Sequence, residues 1–318
     1  MTTQDDSTRL QRQAETLAIR GFISGLQEVA VGRSEEFSGH PKITIVMPSY
    51  NQAMYLERTI LSVLNQAYPN LEFIIIDGGS TDGSVDIIKK YEGYLAYWYS
   101  GPDSGQSDAL NHGFSKATGD IFGWLNSDDL YLPGAFGSVA EAFRVRSESG
   151  VVFGDWWEID NADEVTSVNY AFDFSLGHLI HEGFHLNSQA MFWRRAVHQR
   201  FGAFDIKLHR TMDYDLILRL GLVEGQGAFY RIPQALACFR RHTEQKTIGF
   251  DRRVLDEHRQ IANKNGIGIK CSLPGRAFWL VYRLRRAYWY VKRGGFTYAL
   301  ARSGDWRTRL KDSMSFWR

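Results

Sequence analysis

The sequence predicts an α/β fold with a Rossmann-like, mostly parallel central sheet flanked by helices, and three observations carry that prediction. From Lys42 onward, short apolar runs alternate four times with segments of helical periodicity, within about 85 residues, as strand–helix crossover units do. The runs are continuous rather than alternating, which is the pattern of strands covered on both faces. Each run also ends in a cluster of Asp, Asn, Ser, Gly or Pro, at the place where an open parallel sheet gathers its ligands.

The elements follow in order. Residues 1 to about 40 are polar, with Leu10, Leu17, Phe22 and Leu26 at helical spacing, and read as an N-terminal helical arm closed by Ser38-Gly39-His40-Pro41. Ile43-Thr44-Ile45-Val46-Met47 is a buried strand ended by Pro48. Asn51 is placed to cap a helix carrying Leu56, Ile60, Val63, Leu64 and Ala67, with Pro69 as its stop. Phe73-Ile74-Ile75-Ile76 is the next strand, followed by a helix from about Ser84 to Tyr91 and a strand around Tyr97-Trp98-Tyr99. A helix from about Ser107 to Lys116 and a strand over Ile121–Leu125 complete the series, and right-handed crossovers place all four strand ends on one edge. The polar clusters there are Pro48-Ser49-Tyr50-Asn51, Asp77-Gly78-Gly79-Ser80-Thr81-Asp82, Gly101-Pro102-Asp103-Ser104 and Asn126-Ser127-Asp128-Asp129. One such cluster is ordinary loop composition; four on one edge point to a site.

Composition bounds the alternatives. The 318 residues are 44% hydrophobic and 23% charged, an ordinary globular balance that argues against disorder or a coiled coil. No run reaches the roughly eighteen apolar residues of a membrane span, and the acidic, polar start lacks a secretory layout, so a cytoplasmic protein is expected. Cys238 and Cys271 stand far apart without ligand spacing, which excludes a disulfide framework and a cysteine metal site. The total charge of +1 conceals an asymmetry: Cys271–Arg318 carries eleven Lys/Arg and two acids, a net +9, leaving −8 on the other 270 residues. The same tail holds eleven aromatic residues.

Asp128 and Asp129 directly follow a buried strand, where two carboxylates repel each other and lose solvation unless a cation joins them. Hard oxygen donors there suit Mg²⁺ or Mn²⁺ shared with a phosphorylated ligand; a solvated turn is the alternative reading. Asp77 is placed to accept a hydrogen bond from a base or ribose, with glycines after it to let the backbone approach. There is no G-x-G-x-x-G and no P-loop lysine, which argues against a dinucleotide oxidoreductase or a Walker-type ATPase.

Pro48-Ser49-Tyr50-Asn51, the run Asp77 to Ser84, and Trp124-Leu125-Asn126-Ser127-Asp128-Asp129 together resemble the signature of inverting family 2 glycosyltransferases with the GT-A fold. Gly202-Ala203-Phe204-Asp205 and Met212-Asp213-Tyr214-Asp215-Leu216 resemble that family's acceptor-side segment, so the resemblance covers about Ile43 to Lys246. It implies that Pro48, Tyr50 and Asp77 hold the nucleoside alongside Asn51, that Asp77 reads the uracil edge of a UDP-sugar, and that Asp103, Gln106 and Asp108 lie by the base or donor sugar. The family's Asp-x-Asp element falls on Asn126-Ser127-Asp128, a departure that leaves Asp128 as the metal ligand and Asn126 and Ser127 as neutral donor contacts. Asp213 matches the catalytic base, a plain helix cap being the alternative. His242, with Arg240 and Arg241 before it, resembles the late histidine that meets metal or diphosphate. The implied cofactor is Mn²⁺ or Mg²⁺, the implied donor a UDP-sugar ahead of a dTDP-sugar, and the implied acceptor a glycan or lipid-linked hydroxyl in surface polysaccharide or glycoconjugate synthesis.

The division expected is 1–40 as the arm, 41–265 as the glycosyltransferase domain (41–130 for the nucleotide, 131–265 for the acceptor), and 266–318 as a basic, aromatic helical extension. Two other function classes fit parts of the sequence. His181-Glu182-Gly183-Phe184-His185 fits the zinc-peptidase pattern H-E-x-x-H, but Gly183 interrupts the helix it requires and no downstream glutamate precedes Glu224 as third ligand. A non-catalytic nucleotide-sugar-binding module would keep Asp77 and dispense with Asp213. No nucleic-acid reader motif accompanies the basic tail. In that tail Leu280, Leu284, Ala287 and Val291 form an aliphatic stripe, while Trp279, Tyr282 and Trp289 share a face with Arg283, Arg286 and Arg293; a helix at an anionic membrane surface and a helix packed on the catalytic domain are both consistent with it.

Overall fold

The structure is a computed structural model that describes residues 20–26, 28, 39–181, 183, 186–243, 245, 252–267 and 273–304. Of the N-terminal arm, Leu10 and Leu17 lie outside the described residues. The short helical turn beginning at Arg20 presses Ile23 and Leu26 onto the core.

Strands β1 (Ile43–Ser49), β2 (Leu71–Asp77), β3 (Tyr97–Ser100) and β4 (Ile121–Trp124) are parallel, as predicted, and lie in the order β3-β2-β1-β4. All seven residues of β1 are buried, which is why its apolar run is unbroken. The sheet then continues beyond the reach of the predicted crossovers. Through β8 (Met191–Arg194), β6 (Val151–Ile159), β9 (Phe229–Arg240) and β5 (Leu130–Tyr131) it extends to nine strands among the described residues, with β7 (Val165–Asn169) paired to β6. The β4–β8 and β8–β6 pairs are antiparallel, and β6 runs parallel to β9.

Helices α1 (Ala53–Leu64), α2 (Ser84–Lys90), α3 (Gln106–Lys116) and α4 (Ala135–Val145) connect the first strands, and one apolar cluster lies on each face of the sheet. The predicted Asn51 cap is not formed. Gln52 occupies the cap position of α1 and Asn51 takes a left-handed φ of 51°, while Ala67 falls beyond the helix end. The capping is supplied from another loop: Asp82 Oδ2 accepts from the Ala53 N–H at 2.8 Å, and Ser80 Oγ accepts from the Asn51 N–H at 2.7 Å.

The second half carries α5 (Leu176–His181), α6 (Arg195–Phe201), α7 (Met212–Glu224), α8 (Arg252–Lys264) and α9 (Leu273–Gly304), the last broken at Gly295. Helix α9 packs on the sheet side of the molecule through its aromatic and basic face. Arg293 Nη2 donates to Asp155 Oδ2 at 2.5 Å, and Trp289 lies 5.5 Å from Phe172. The Tyr282 ring stacks on His181. That is the face whose mixture of rings and charges suggested a membrane contact; it is turned inward. Trp279's side chain lies outside the described residues. Among the described residues, no helix is long and apolar enough to cross a membrane.

Candidate active site

The carboxyl ends of β1 to β4 open into one cavity of about 1020 Å³, and the loops after all four strands line it. Pro48, Tyr50, Asn51, Asp103, Gln106, Asn126, Ser127, Asp128, Asp213, Arg241 and His242 all face it, so residues up to 194 positions apart in the chain meet at one edge of the sheet. Three of the predicted site residues do not.

Asp77 is fully buried and does not line the cavity. Its Oδ2 accepts from the N–H groups of Gly79 and Ser80 and from the Ser100 hydroxyl, and its Oδ1 accepts from the Ser80 hydroxyl. Both oxygens are engaged by its own loop and by β3, so it organises that loop. Gly78 beside it does face the cavity; a Cβ there would meet the Asp103 carboxylate at 3.0 Å, so glycine is what lets Asp103 sit over this loop. Asp108 likewise turns away, its Oδ2 accepting from the Ser104 N–H at the start of α3.

Arg240 is the third predicted site residue that does not line the cavity. It is 1% exposed, with its Nε donating to the Asp128 carbonyl, its Nη1 to the Asp160 carbonyl, and its guanidinium 2.6 Å from Asp163 and stacked over Tyr55. Burial pulls its pKa down, but the surrounding carboxylates oppose that. An arginine held this way braces the Asp128-Asp129 turn. Arg241, next to it, is exposed to the cavity and paired with Glu158 at 3.0 Å.

The two adjacent aspartates divide. Asp129 points into the core, accepting from the Arg240 N–H at 2.9 Å and from Asn126 Nδ2 at 3.3 Å; burial and the neighbouring Asp128 charge push its carboxyl well above the ordinary range. Asp128 points into the cavity, with Oδ2 2.9 Å from His242 Nε2, and the His242 ring lies 4.9 Å from that of Tyr55. Asn126 is held between Gln106, whose Nε2 donates to it at 2.6 Å, and Asp129. Among the described residues, no three His, Cys, Asp or Glu side chains gather as a ready-made metal cage. A two-donor pair at a cavity wall still fits a hard cation whose remaining positions go to diphosphate oxygens and water.

Asp213 enters from the opposite half, in the first turn of α7, with Thr211 rather than Asp213 as the cap residue. Its Oδ1 accepts from the Tyr214 N–H at 2.8 Å. Burial, assisted by the Glu257 charge, pushes its carboxyl up to about 6. Glu257, on α8, was not anticipated. Its carboxylate accepts from the N–H groups of His209, Arg210 and Thr211 and from the Thr211 hydroxyl, and so fixes the segment that delivers Asp213 and places His209 and Arg210 on the cavity wall. A lone glutamate on a strongly amphipathic helix gives no local sign of such a role.

The remaining wall is also new. Trp156, Glu158 and Tyr170 come from β6 and the end of β7, and Arg286 and Tyr290 come from α9. Their contribution depends on the antiparallel half of the sheet, which lacks a strand–helix repeat to announce it. Gly202–Asp205, by contrast, packs away from the cavity: Phe204 exchanges two hydrogen bonds with Asn111, and Asp205 pairs with Lys264 at 3.0 Å. Of the zinc-peptidase pattern, His181 ends helix α5 and Gly183 adopts a φ of 102°, while Glu182, Phe184 and His185 lie outside the described residues.

Comparison with known proteins agrees with this geometry. Residues 44–201 match the model for Glycosyl transferase family 2. An uncharacterized glycosyltransferase of Mycobacterium tuberculosis is 32% identical over 185 residues, covering 58% of this chain and 70% of that one. The structure of Staphylococcus aureus TarS 1-349 in complex with UDP superposes with a TM-score of 0.58 at 18% identity, over 80% of this chain and 74% of that one. Mannosyltransferase PcManGT from Pyrobaculum calidifontis, in complex with GDP-Man and Mn²⁺, gives 0.53 at 14% identity, over 98% and 94%. With the motifs, the GT-A-like sheet and a relative at this identity in agreement, the chain belongs to glycosyl transferase family 2 and is a glycosyltransferase.

Proposed function

We propose that the protein transfers a sugar with inversion from a nucleotide-sugar, a UDP-sugar ahead of a dTDP-sugar, to a hydroxyl of a glycan or lipid-linked acceptor. The observation that carries this reading is the meeting of the Asp128–His242 pair, the nucleotide-side loops and the Asp213 carboxylate in one cavity. The solved structures of similar fold hold UDP, UDP-GlcNAc and GDP-Man, which supports a nucleotide-sugar donor. We take residues 41–265 as the catalytic unit, working in the cytoplasm on surface polysaccharide or a related glycoconjugate.

In the reaction, the acceptor oxygen forms a bond to the anomeric carbon as the bond from that carbon to the diphosphate breaks. The hydroxyl proton passes to Asp213, and the nucleoside diphosphate leaves. A carboxylate whose pKa stands near 6 is a stronger base than an ordinary aspartate and remains ionised at neutral pH. Asp128 and His242 would hold Mn²⁺ or Mg²⁺, which supplies positive charge for the departing diphosphate. Arg241 and Arg210, both on the cavity wall, add fixed positive charge on the same side of the balance. Asp103, Gln106 and the Pro48–Asn51 loop border the nucleoside and donor sugar, while the rings of Trp156, Tyr170 and Tyr290 offer apolar faces to an acceptor sugar.

The test is a donor screen that measures released nucleoside diphosphate, with and without Mn²⁺, for the wild type and Asp213→Asn. Release that depends on donor, metal and the Asp213 carboxylate supports the reading. Equal release from the variant removes Asp213 as the base.

A further inference from the structure

Helix α9 buries the wrong side for an ordinary surface helix. Such a helix normally presses its aliphatic stripe on the core and shows its charges to water. Here the inward face is made by Tyr282, Trp289 and Arg293, while Leu280, Leu284, Tyr288 and Val291 are 51%, 62%, 70% and 44% exposed. At 100° per residue those four lie within one narrow arc, and exposed Val281 stands at its margin. Arg285 and Lys292, both exposed, run along one flank of the arc, and no acidic residue occurs between Leu273 and Gly304. A contiguous apolar strip on a surface marks a surface that something covers.

The charge pattern selects the occupant. A second copy laid on the same strip would bring cations against cations with no acid to meet them. A bilayer carrying anionic lipid offers both halves of the complement, an apolar layer for the strip and phosphates for its basic flank. We propose that the outer face of α9 seats the protein on an anionic membrane surface, with Leu280, Leu284, Tyr288 and Val291 entering the interface and Arg285 and Lys292 at headgroup level. The other side of the same helix gives Arg286 and Tyr290 to the catalytic cavity. The cavity wall then stands one helix diameter, about 10 Å, from the lipid. Its consequence, that the acceptor hydroxyl arrives on a membrane-anchored carrier, rests on the transferase reading above; the seat itself does not.

Sedimentation of the full chain with vesicles of phosphatidylcholine alone, and of phosphatidylcholine mixed with phosphatidylglycerol, tests the seat, alongside nucleotide binding on the same preparations. The wild type is expected to bind the anionic vesicles at least about tenfold more tightly than the neutral ones, and less tightly as salt rises. L284E/Y288E and R285E/K292E are each expected to lose that binding about tenfold or more while nucleotide binding is unchanged. A wild type that stays in the supernatant with anionic vesicles while still binding nucleotide overturns the seat and leaves the transferase reading standing. Undiminished vesicle binding by both double variants also overturns it, as does a wild-type dimer that L284E/Y288E converts to monomer without any vesicle binding. Vesicle binding that both variants abolish, in protein that binds no nucleotide, supports the seat and counts against the transferase reading alone.

Discussion

Asp128 Oδ2 lies 2.9 Å from His242 Nε2, joining a turn after β4 to a residue 114 positions later, just past β9. Neither side chain has that partner by local geometry. Arg240 arranges it from below, because its guanidinium bonds the Asp128 carbonyl while its own N–H bonds Asp129. If this pair holds the divalent cation, Asp128→Asn and His242→Ala should each weaken metal-dependent nucleotide binding by on the order of tenfold or more, about 1.4 kcal/mol. Titration calorimetry with UDP across a Mn²⁺ series checks this, and chelation should reduce the wild type to the level of the variants.

Asp213→Asn should separate activity from stability. Transfer should fall by about a hundredfold or more, as loss of a general base does, with nucleotide affinity retained. Burial raises the folded-state pKa to about 6 from the ordinary 3.8, so ionisation of this group opposes folding. Its stabilising protonated form is fully present below about pH 3.8 and is lost as pH rises through 6. At pH 7 to 8 the buried charge costs stability, and Asn, which keeps the acceptor for the Tyr214 N–H, should raise stability by roughly 1–3 kcal/mol at most. Thermal unfolding at pH 5 and pH 8 checks the sign: the gain should appear at pH 8 and shrink at pH 5.

The wild-type pH profile should fall on the acid side near pH 6, where Asp213 takes up its proton. Glu257 contributes to that position, since its charge raises the Asp213 pKa. Glu257→Gln retains an acceptor oxygen and removes the charge, so the acid limb should move to lower pH. Glu257→Ala leaves three N–H groups and a hydroxyl without their acceptor and should cost about 1–3 kcal/mol. A simple structural role would lower the melting temperature without moving the limb in the Gln variant.

Asp77 and Asp103 should behave oppositely. Asp77→Asn replaces an oxygen that accepts within its loop by an amide that must donate, so the loop should loosen and stability fall by about 1–3 kcal/mol along with nucleotide affinity. Asp103→Ala, at an exposed position on the cavity wall, should reduce nucleotide affinity with a stability change within about 1 kcal/mol. Paired melting and UDP-binding measurements distinguish the two.

The parallel strands, the edge where the polar loops gather and the family were all legible in the sequence. Continuous apolar runs, helical spacing and strand-end clusters are local patterns, and a parallel sheet with right-handed crossovers converts them directly into positions. What tertiary structure alone decided was direction. Asp77 turned into its loop, Arg240 went beneath the Asp128 turn, and Asp128 and Asp129 faced opposite ways. The aromatic side of α9 went inward and its aliphatic side outward. Each of these depends on which distant backbone group or ring satisfies a side chain, through pairings such as Arg240 with Asp163 or Arg293 with Asp155. Spacing along the chain specifies which residues share a face, and only packing against partners far away in sequence determines which face is buried.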